Sequence, residues 1–307
     1  MSQKPIYMTP DVAGVSDVRD FWLLLKPNVM SLVVFTAGVG LFLAPGAIHP
    51  VMAAVAILCI TVAAGASAAI NNAYDADIDR VMVRTQKRPT ASGRILPADA
   101  LAYGLTLAVI SIMVMGLAIN WTASALLALT IAFYVLVYTM WLKRRTPQNI
   151  VIGGAAGALP PMIGWAAVTG EISPAAIALF AIIFFWTPPH FWALALFRSK
   201  DYENVKVPML PVTAGHAVTR RHILAYTIML LPISFAPAIL ETVGWFYAVV
   251  ATLLGCGFLI HAYRLWLDGT QRSATKTFRF SIVYLFGLFG ALAADRLISL
   301  LIPTFLG

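Results

Sequence analysis

The sequence predicts an all-α integral membrane protein with nine transmembrane helices, an amino terminus in the cytoplasm and a carboxyl terminus outside. Three observations lead to this fold class. The chain is 60% hydrophobic and 11% charged, with a mean hydropathy of +0.84, whereas soluble domains carry about 25% charged residues. Nine apolar runs are long enough to cross a bilayer. Positive charge alternates between the segments that flank these runs.

The apolar runs define the predicted domain organisation. A bilayer core is crossed by about 20 helical residues, and the runs lie at residues 28–45, 51–73, 100–119, 122–142, 149–169, 174–197, 223–241, 243–263 and 280–301. Residues 1–26 lack an early apolar region and are predicted to be a cytoplasmic tail, not a cleavable signal peptide. Residues 27–307 then form a single transmembrane domain.

Two of the runs contain residues that disturb a helix. The fifth run holds Gly153, Gly154 and the pair Pro160-Pro161, and the sixth holds Pro188-Pro189. Such residues are tolerated in membrane helices where neighbouring helices satisfy the freed backbone groups. Both runs are therefore predicted to be kinked and buried in the bundle.

The distribution of lysine and arginine predicts the orientation. All of them except Arg296 lie before the first run or after the second, fourth, sixth and eighth runs. These segments face the cytoplasm by the positive-inside rule. Topology thus accounts for the net charge of +8, and nucleic-acid binding is not predicted. Asp295-Arg296, within the ninth run, is predicted to be a self-paired couple that anchors a helix end, with a functional charge pair as the alternative.

The cytoplasmic end of the second run carries Asn71, Asp75 and Asp79 at four-residue intervals. Each step of four residues drifts by only about 40° around an α-helix, so the three side chains share one face. Asp77 lies off this face. Carboxylate and amide oxygens in small number suit Mg²⁺, which commonly takes further ligands from substrate phosphates. Four cations follow and would hold the same phosphates: Arg80, Arg84, Lys87 and Arg88. This pattern predicts a metal–diphosphate site; the alternative is a loop whose charges neutralise one another.

Two later cytoplasmic stretches also have the composition of ligand sites. Tyr138 and Trp141 precede three cations, and a second stretch runs from Trp186 through Pro188-Pro189-His190 to Pro211. An interfacial aromatic belt would explain the first stretch equally well. A lone histidine near a helix end is usually a hydrogen-bonded packing residue, so His190 is either a packing residue or a ligand.

These motifs resemble a known family. Asn71-x3-Asp75-x3-Asp79, followed by Arg84-Thr85 and Arg88-Pro89, resembles the first signature of the UbiA-type intramembrane prenyltransferases. Other stretches are similar to the heme-modifying branch of that family: Arg145-Thr146-Pro147, Gly153 to Pro161 with Gly164-Trp165, Trp186 to Trp192, and Asp201-Tyr202 with Pro208 to Pro211. The likeness runs from Lys26-Pro27 to the ninth run. Where many members carry a second aspartate-rich motif, this chain has Arg198, Lys200 and Asp201, which leaves the number of Mg²⁺ ions open.

The resemblance implies a UbiA-type helical bundle in the bacterial cytoplasmic (inner) membrane, with an active site on the cytoplasmic side. It implies a Mg²⁺-dependent enzyme that transfers the farnesyl group of farnesyl diphosphate to a vinyl side chain of heme B. Water would add to the resulting cation and give heme O for cytochrome oxidase. Membrane lipid is a further predicted partner, and contact with other membrane enzymes of the heme pathway is left open.

The resemblance also implies a role for individual residues. The predicted metal ligands are Asn71, Asp75 and Asp79, and Arg84 and Arg88 complete the catalytic set. The predicted diphosphate-binding residues are Arg80, Arg84, Lys87, Arg88, Lys143, Arg198 and Lys200. The predicted heme contacts are His190, Trp192 and His222, and the predicted prenyl pocket consists of Tyr138, Phe185, Trp186 and Phe191.

Three alternatives to this function stay open. A prenyltransferase of the same type could act on another acceptor, such as an aromatic acid, a quinone precursor or another tetrapyrrole. An ion-coupled transporter would use acidic residues in its interior, but the acids here lie at a cytoplasmic helix end. A membrane protein that only binds heme would not need aspartates in four-residue register.

Overall fold

The computed structural model describes residues 16–306, apart from the side chains of residues 28, 29 and 302–306. Residues 1–15 of the predicted tail therefore lie outside the described residues. Helices account for the regular structure of this part of the chain: α1 (Val18–Leu24), α2 (Pro27–Leu43), α3 (Pro50–Tyr74), α4 (Ala76–Val81), α5 (Pro97–Ala118), α6 (Trp121–Ala132) with a π-helix (Phe133–Leu142), α7 (Asn149–Ala158), α8 (Pro160–Thr169), α9 (Pro174–Phe197), α10 (Ser199–Asn204), α11 (Leu210–Thr213), α12 (Gly215–Ser234), α13 (Ala236–Ile239), α14 (Trp245–Asp268) and α15 (Gln271–Leu306).

The helices have the length and composition of membrane spans. Between residues 16 and 306, eight helical segments are long and apolar enough to cross a bilayer, and a shorter apolar segment, Met30–Leu43, lies within α2. The prediction of an all-α integral membrane protein is thus confirmed. Two helices begin well before the predicted runs: α12 at residue 215 instead of 223, and α15 at residue 271 instead of 280. Hydropathy marks only the hydrocarbon core, whereas a helix continues into the headgroup layer with polar turns.

Local sequence signals explain where several helices begin and end. Pro50 and Pro97 occupy the first positions of α3 and α5, where a missing N–H costs no helical hydrogen bond. Asn120 caps α6 by accepting a hydrogen bond from the Ala123 N–H at 2.8 Å. Gly170, with φ of 72°, ends α8 in the left-handed conformation that glycine adopts readily.

The two disturbed runs behave differently. The fifth run is divided into α7 and α8 at Pro160, and it is the most buried of the long apolar segments in the described part of the chain. The sixth run remains one helix, α9, across Pro188 and Pro189. Both are interior, because α7, α8 and α9 pack against one another, α8 also packs against α2, and α9 also packs against α12 and α15.

Glycines allow α2 and α8 to approach closely. A Cβ added to Gly40 would lie 2.1 Å from the carbonyl oxygen of Pro161, and one added to Gly164 would lie 2.1 Å from the carbonyl oxygen of Ala37. No side chain fits at these distances. The small residues therefore bring two backbones together, as is common in membrane helix packing.

Asp295 has a structural role that differs from the predicted pairing with Arg296. Its carboxylate accepts hydrogen bonds from the backbone N–H groups of Gly244 at 2.6 Å and Tyr247 at 2.9 Å. No ion pair joins Asp295 to Arg296 among the described side chains. The carboxylate instead satisfies the orphan donors at the start of α14 and interacts favourably with the positive end of that helix.

Candidate functional site

Asn71, Asp75 and Asp79 lie on one buried face, although the helix that carries them is interrupted. Asp75 separates α3 from α4, with φ of −92° and ψ of 9°. Backbone hydrogen bonds of 2.9 Å from Asp75 to Asn71 and from Asp79 to Asp75 preserve the four-residue spacing across this junction. The three residues are 4%, 0% and 2% exposed. A buried carboxylate requires a compensating charge or hydrogen bonds.

Each of the three side chains contacts a cation from another part of the chain. Lys26 donates to Asn71 Oδ1 at 2.8 Å, Lys143 forms an ion pair with Asp75 Oδ2, and Arg88 contacts Asp79 Oδ2 at 2.6 Å. Asn71 Nδ2 also donates to Asp75 Oδ2 at 2.6 Å. Burial, followed by the charges of Arg88 and Lys143, lowers the pKa of Lys26 to about 7. Acids and cations therefore alternate across the site.

Asp77 lies outside this buried group. Its side chain is 62% exposed and contacts Arg144 Nη2 at 2.7 Å. The hydrogen bond from Arg144 lowers the pKa of the Asp77 carboxyl and raises that of the guanidinium. Arg144 also lies 5.1 Å over the ring of Tyr74. Asp77 and Arg144 thus form an exposed ion pair beside the site.

A cavity of about 430 Å³ begins at the acidic residues and extends among the membrane helices. We call its charged end, at the loop side of the bundle, the polar mouth; it consists of Lys26, Asn71, Asp79, Arg84, Arg88 and Lys143. We call a set of side chains further along the aromatic wall; it consists of Tyr134, Tyr138, Trp186, His190 and Phe191. Aliphatic residues such as Ile60, Leu127 and Ile163 also line the cavity. The cavity can therefore take a ligand with an anionic head and an apolar tail.

The π-helix places several of these residues on one face. It covers residues 133–142, and the N–H of Lys143 bonds to the carbonyl of Tyr138 at 2.9 Å, the five-residue spacing of a π-helix. Tyr134 and Tyr138 have ring centroids 5.4 Å apart and line the cavity together with Lys143. The wider turn thus aligns two aromatic rings and an ammonium group towards the same space.

Close packing against α7 holds the Tyr138 ring in place. A Cβ added to Gly153 would lie 2.3 Å from the ring. This glycine is part of the run that the sequence predicted to be interior, and its missing side chain makes room for the aromatic wall.

His190 has both a packing role and a position on the cavity surface. Its Nδ1 lies 2.7 Å from Ser281 Oγ, and its ring stacks on Trp186 with centroids 4.3 Å apart. Trp186 donates its indole N–H to the carbonyl of Ser281 at 2.7 Å. These contacts fix the ring plane and occupy Nδ1. No hydrogen bond to Nε2 occurs within the described structure, so this nitrogen is the one that a ligand in the cavity could use.

Three residues predicted as heme or prenyl contacts lie at a different helix interface. Trp192 has ring centroids 5.3 Å from Tyr226 and 5.7 Å from His222, and Phe185 lies 6.0 Å from Tyr226. Trp192, His222 and Phe185 are absent from the cavity lining and pack between α9 and α12. The α9 residues 187, 190, 191 and 194 line the cavity. Their intervals of three and four residues place them on one face of the helix. Residues 185 and 192 fall on another face.

The predicted diphosphate-binding cations also divide into two groups. Arg84, Arg88 and Lys143 line the polar mouth. The others are exposed and do not line the cavity: Arg80, Lys87, Arg198 and Lys200. Arg198 lies 3.9 Å from Asp201. Asp75 is not part of the cavity surface either, because it is covered by Asn71 and Lys143.

Lys26, Tyr134, Asn149 and Tyr202 also line the cavity, and the sequence pattern assigned them no role. Lys26 has the left-handed backbone conformation, with φ of 55°. It is the cation that immediately precedes the first span, and this position in the sequence could have indicated a site residue. Tyr134 precedes Tyr138 by one turn. Asn149 donates to the Thr146 carbonyl at 2.7 Å, but its buried Oδ1 has no hydrogen-bond partner in the part of the chain described. Such an orphaned acceptor in a cavity wall fits a ligand site.

The oxygen donors fit one divalent cation that shares its ligands with a substrate. No group of three or more His, Cys, Asp or Glu side chains that could hold a metal ion occurs among residues 16–306. Two buried carboxylates and an amide remain, from Asp75, Asp79 and Asn71. Mg²⁺ is typically bound by one or two carboxylates together with water and substrate phosphates. Asn71 and Asp79, which line the cavity, therefore fit Mg²⁺ held jointly with a diphosphate, and Asp75 contacts Asn71 outside the cavity surface.

A helical membrane bundle with this site belongs to a defined class of protein. Residues 33–288 match the UbiA prenyltransferase family, and the chain is a member of that family. Among curated relatives, the protoheme IX farnesyltransferase of Brucella ovis is 56% identical over 291 residues, which cover 94% of this chain and 93% of the relative. Protoheme IX farnesyltransferase 2 of Mesorhizobium japonicum is 57% identical over 284 residues, with 91% and 90% covered.

Solved structures share the fold at low sequence identity. A digeranylgeranylglyceryl phosphate synthase superposes with a TM-score of 0.77 at 17% identity, covering 91% of this chain and 98% of the other. A UbiA homologue from Aeropyrum pernix gives 0.70 at 19% identity, with 87% and 98% covered. A UbiA homologue from Archaeoglobus fulgidus bound to GPP and Mg²⁺ gives 0.62 at 17% identity, with 89% and 99% covered. The bundle is therefore a UbiA fold.

Proposed function

We propose that this protein transfers the farnesyl group of farnesyl diphosphate to a vinyl side chain of heme B and so produces heme O. The observation that carries the proposal is an identity above half with two protoheme IX farnesyltransferases over nearly the whole chain. The cavity agrees with it, because a charged end and an apolar interior match a prenyl diphosphate.

The polar mouth binds the diphosphate. Arg88 and Lys143 each pair with one carboxylate, Lys26 donates to the neutral amide of Asn71, and Arg84 lines the mouth without an ion-pair partner in the described structure. Asn71, Asp75 and Asp79 would hold Mg²⁺, which supplies positive charge to the departing diphosphate. The cations placed around the same oxygens stabilise the negative charge that develops as the carbon–oxygen bond breaks.

The aromatic wall receives the prenyl chain. An allylic cation forms when the diphosphate leaves, and aromatic faces attract cations within about 6 Å of the ring centroid. Tyr134, Tyr138 and Trp186 present such rings near the polar mouth. The aliphatic residues beyond them exclude water, which would otherwise capture the cation before the acceptor does.

His190 is placed to contact the acceptor. Its ring is held by Trp186 and Ser281, and imidazole is a common axial ligand of heme iron. A histidine fixed at the cavity surface would orient the porphyrin, so that one vinyl group lies near the allylic carbon. In this proposal Trp192 and His222, which pack between α9 and α12, support the helix that carries His190 and do not contact heme.

The membrane arrangement completes the proposal. The shorter apolar segment of α2 is counted with the eight longer ones, which gives nine crossings of the bacterial cytoplasmic membrane. The polar mouth then faces the cytoplasm, the carboxyl terminus lies outside, and residues 27–307 form one catalytic domain preceded by a cytoplasmic tail. The clustering of basic residues at the ends of α3, the π-helix and α9 supports this orientation.

The test is a defined reaction with purified protein in lipid nanodiscs. Heme B, isotopically labelled farnesyl diphosphate and Mg²⁺ are mixed, and the porphyrin product is identified by mass spectrometry. We expect a labelled heme O that is lost with EDTA and with an Asp79→Asn control. Parallel reactions with aromatic acids test other acceptors. Formation of a prenylated aromatic acid without labelled heme O would overturn the proposal.

A further inference from the structure

A second cavity lies at the hairpin between α14 and α15. It has a volume of about 400 Å³ and shares no residue with the first cavity. Its lining is almost entirely polar: His261, Arg264, Asp268, Thr270, Arg272, Ser273 and Lys276. The proposed transfer reaction has no use for this cavity.

The positive charges of the second cavity have no acidic partners within the described structure. Arg264, Arg272 and Lys276 take part in no ion pair there. The one acid of the lining, Asp268, is engaged otherwise: its carboxylate accepts from the Thr270 N–H at 2.9 Å and from Ser273 Oγ at 2.6 Å. Asp268 thus closes the turn between the helices. Three cations remain available to an anion from outside.

The hairpin is at the same face of the bundle as the polar mouth. Gln271, the first residue of α15, donates to the carbonyl of Phe197 at 3.4 Å, so α15 begins where α9 ends. Within α9, His190 lies on the wall of the first cavity and Phe197, the last residue of the helix, lies at this face. The second cavity is therefore at the membrane–water boundary on the side that carries most of the basic loops.

The surface beside the cavity has the composition of a membrane interface. Tyr263 and Trp266 are 48% and 38% exposed, and their ring centroids lie 5.7 Å apart. Leu267 is 60% exposed. Tyrosine and tryptophan are enriched at the headgroup level of bilayers. The cations of α14 and α15 thus lie beside exposed aromatic and aliphatic side chains of the kind found at a bilayer surface.

We propose that the second cavity binds the phosphodiester headgroup of an anionic membrane lipid. Arg264, Arg272 and Lys276 contact the phosphate oxygens, arginine with its planar fork of donors, while Tyr263, Trp266 and Leu267 lie against the acyl chains. Basic pockets between membrane helices on the cytoplasmic side are suited to such headgroups. The polar lining does not suit the apolar ring of a porphyrin, which separates this site from a second heme site.

The experiment measures lipid binding by native mass spectrometry of the detergent-solubilised full chain with phosphatidylglycerol. The variant Arg272→Gln/Lys276→Gln removes two cavity charges. The control Arg145→Gln/Arg221→Gln removes two exposed charges outside the cavity lining. Near a membrane surface each cation contributes roughly a fivefold change in affinity. We expect the cavity variant to bind phosphatidylglycerol about 25-fold more weakly and the control to change by less than about threefold.

Three outcomes would overturn the inference. Equal losses in the two double variants would assign the effect to overall charge and not to the cavity. Inorganic phosphate that binds the wild-type protein as tightly as the lipid would assign the site to a free anion. Displacement of the lipid by heme B from the wild-type protein would assign it to a porphyrin. Arg264→Gln provides a second, single-site variant, and because Arg264 is exposed on α14 we expect this variant to fold normally. The result does not depend on the proposed transfer reaction.

Discussion

Asp75 and Asp77 provide a matched test of the acidic face, since they are two residues apart and differ in burial. Asp75 is fully buried, accepts from Asn71 Nδ2 at 2.6 Å and pairs with Lys143, whose side chain is 17% exposed. Asp75→Asn removes this charge and leaves the ammonium without its main partner. Breaking a buried pair costs about 3–5 kcal/mol. Lys143 keeps some contact with solvent, and Arg144 Nη2 lies 3.5 Å from the other carboxylate oxygen, Asp75 Oδ1. The expected loss of stability is therefore near the lower end of this range, about 3 kcal/mol.

Asp75→Asn is also expected to raise the activation free energy of farnesyl transfer by a similar amount. Removing one group that stabilises transition-state charge typically lowers kcat by about 10²–10³-fold. Asp77→Asn removes the same charge from an exposed pair with Arg144, and such pairs contribute about 1 kcal/mol or less. We therefore expect a folded Asp75→Asn protein with a lower Tm and almost no farnesyl transfer, and a nearly normal Asp77→Asn protein.

The assay is product formation followed by mass spectrometry at saturating Mg²⁺, with Tm measured in the same detergent. The reasoning is refuted if Asp75→Asn retains more than about a tenth of the wild-type rate. It is also refuted if Asp77→Asn loses as much activity as Asp75→Asn, because burial would then not distinguish the two carboxylates.

Three other substitutions test separate parts of the structure. Arg88→Ala is expected to raise the Kd for farnesyl diphosphate about 10- to 100-fold and to change the Kd for heme B much less, because it removes a charged donor at the polar mouth. His190→Ala is expected to shift the absorption spectrum of bound heme B, since it removes the candidate axial ligand. Gly40→Ala is expected to destabilise the protein by about 1–3 kcal/mol, measured by Tm, because the new Cβ would lie 2.1 Å from the Pro161 carbonyl oxygen. Gly38→Ala is the control, with no atom within 4 Å.

Each of these expectations has a contrary outcome. A larger change in heme affinity than in diphosphate affinity would contradict the position given to Arg88. An unchanged spectrum in the His190 variant would leave that residue as a packing partner of Trp186. Equal losses of stability at Gly38 and Gly40 would show that the close helix contact is not the cause.

Some features of the site required the folded chain. Asp75 and Lys143 are 68 residues apart, and Lys26 and Asn71 are 45 apart, so no local spacing connects them. Lys143 is a predicted diphosphate ligand, whereas no sequence pattern assigned a role to Lys26. On α9, the sequence assigned Phe185 and Trp186 to the prenyl pocket and Trp192 to the heme contacts, whereas the helix turns Trp186 to the cavity and the other two to α12. An aromatic-rich helix is apolar on every side, and its pattern does not indicate which side faces a ligand.

The sequence by itself determined the membrane class, the approximate positions of the long apolar helices and the shared face of Asn71, Asp75 and Asp79, because hydropathy and helical periodicity depend only on neighbouring residues. The tertiary structure decided which cation meets which acid, which face of α9 lines the cavity, and that Asp295 caps α14 instead of pairing with Arg296. These choices depend on how helices distant in the chain pack against one another, and packing follows from the shapes of complete faces and not from any single stretch of residues.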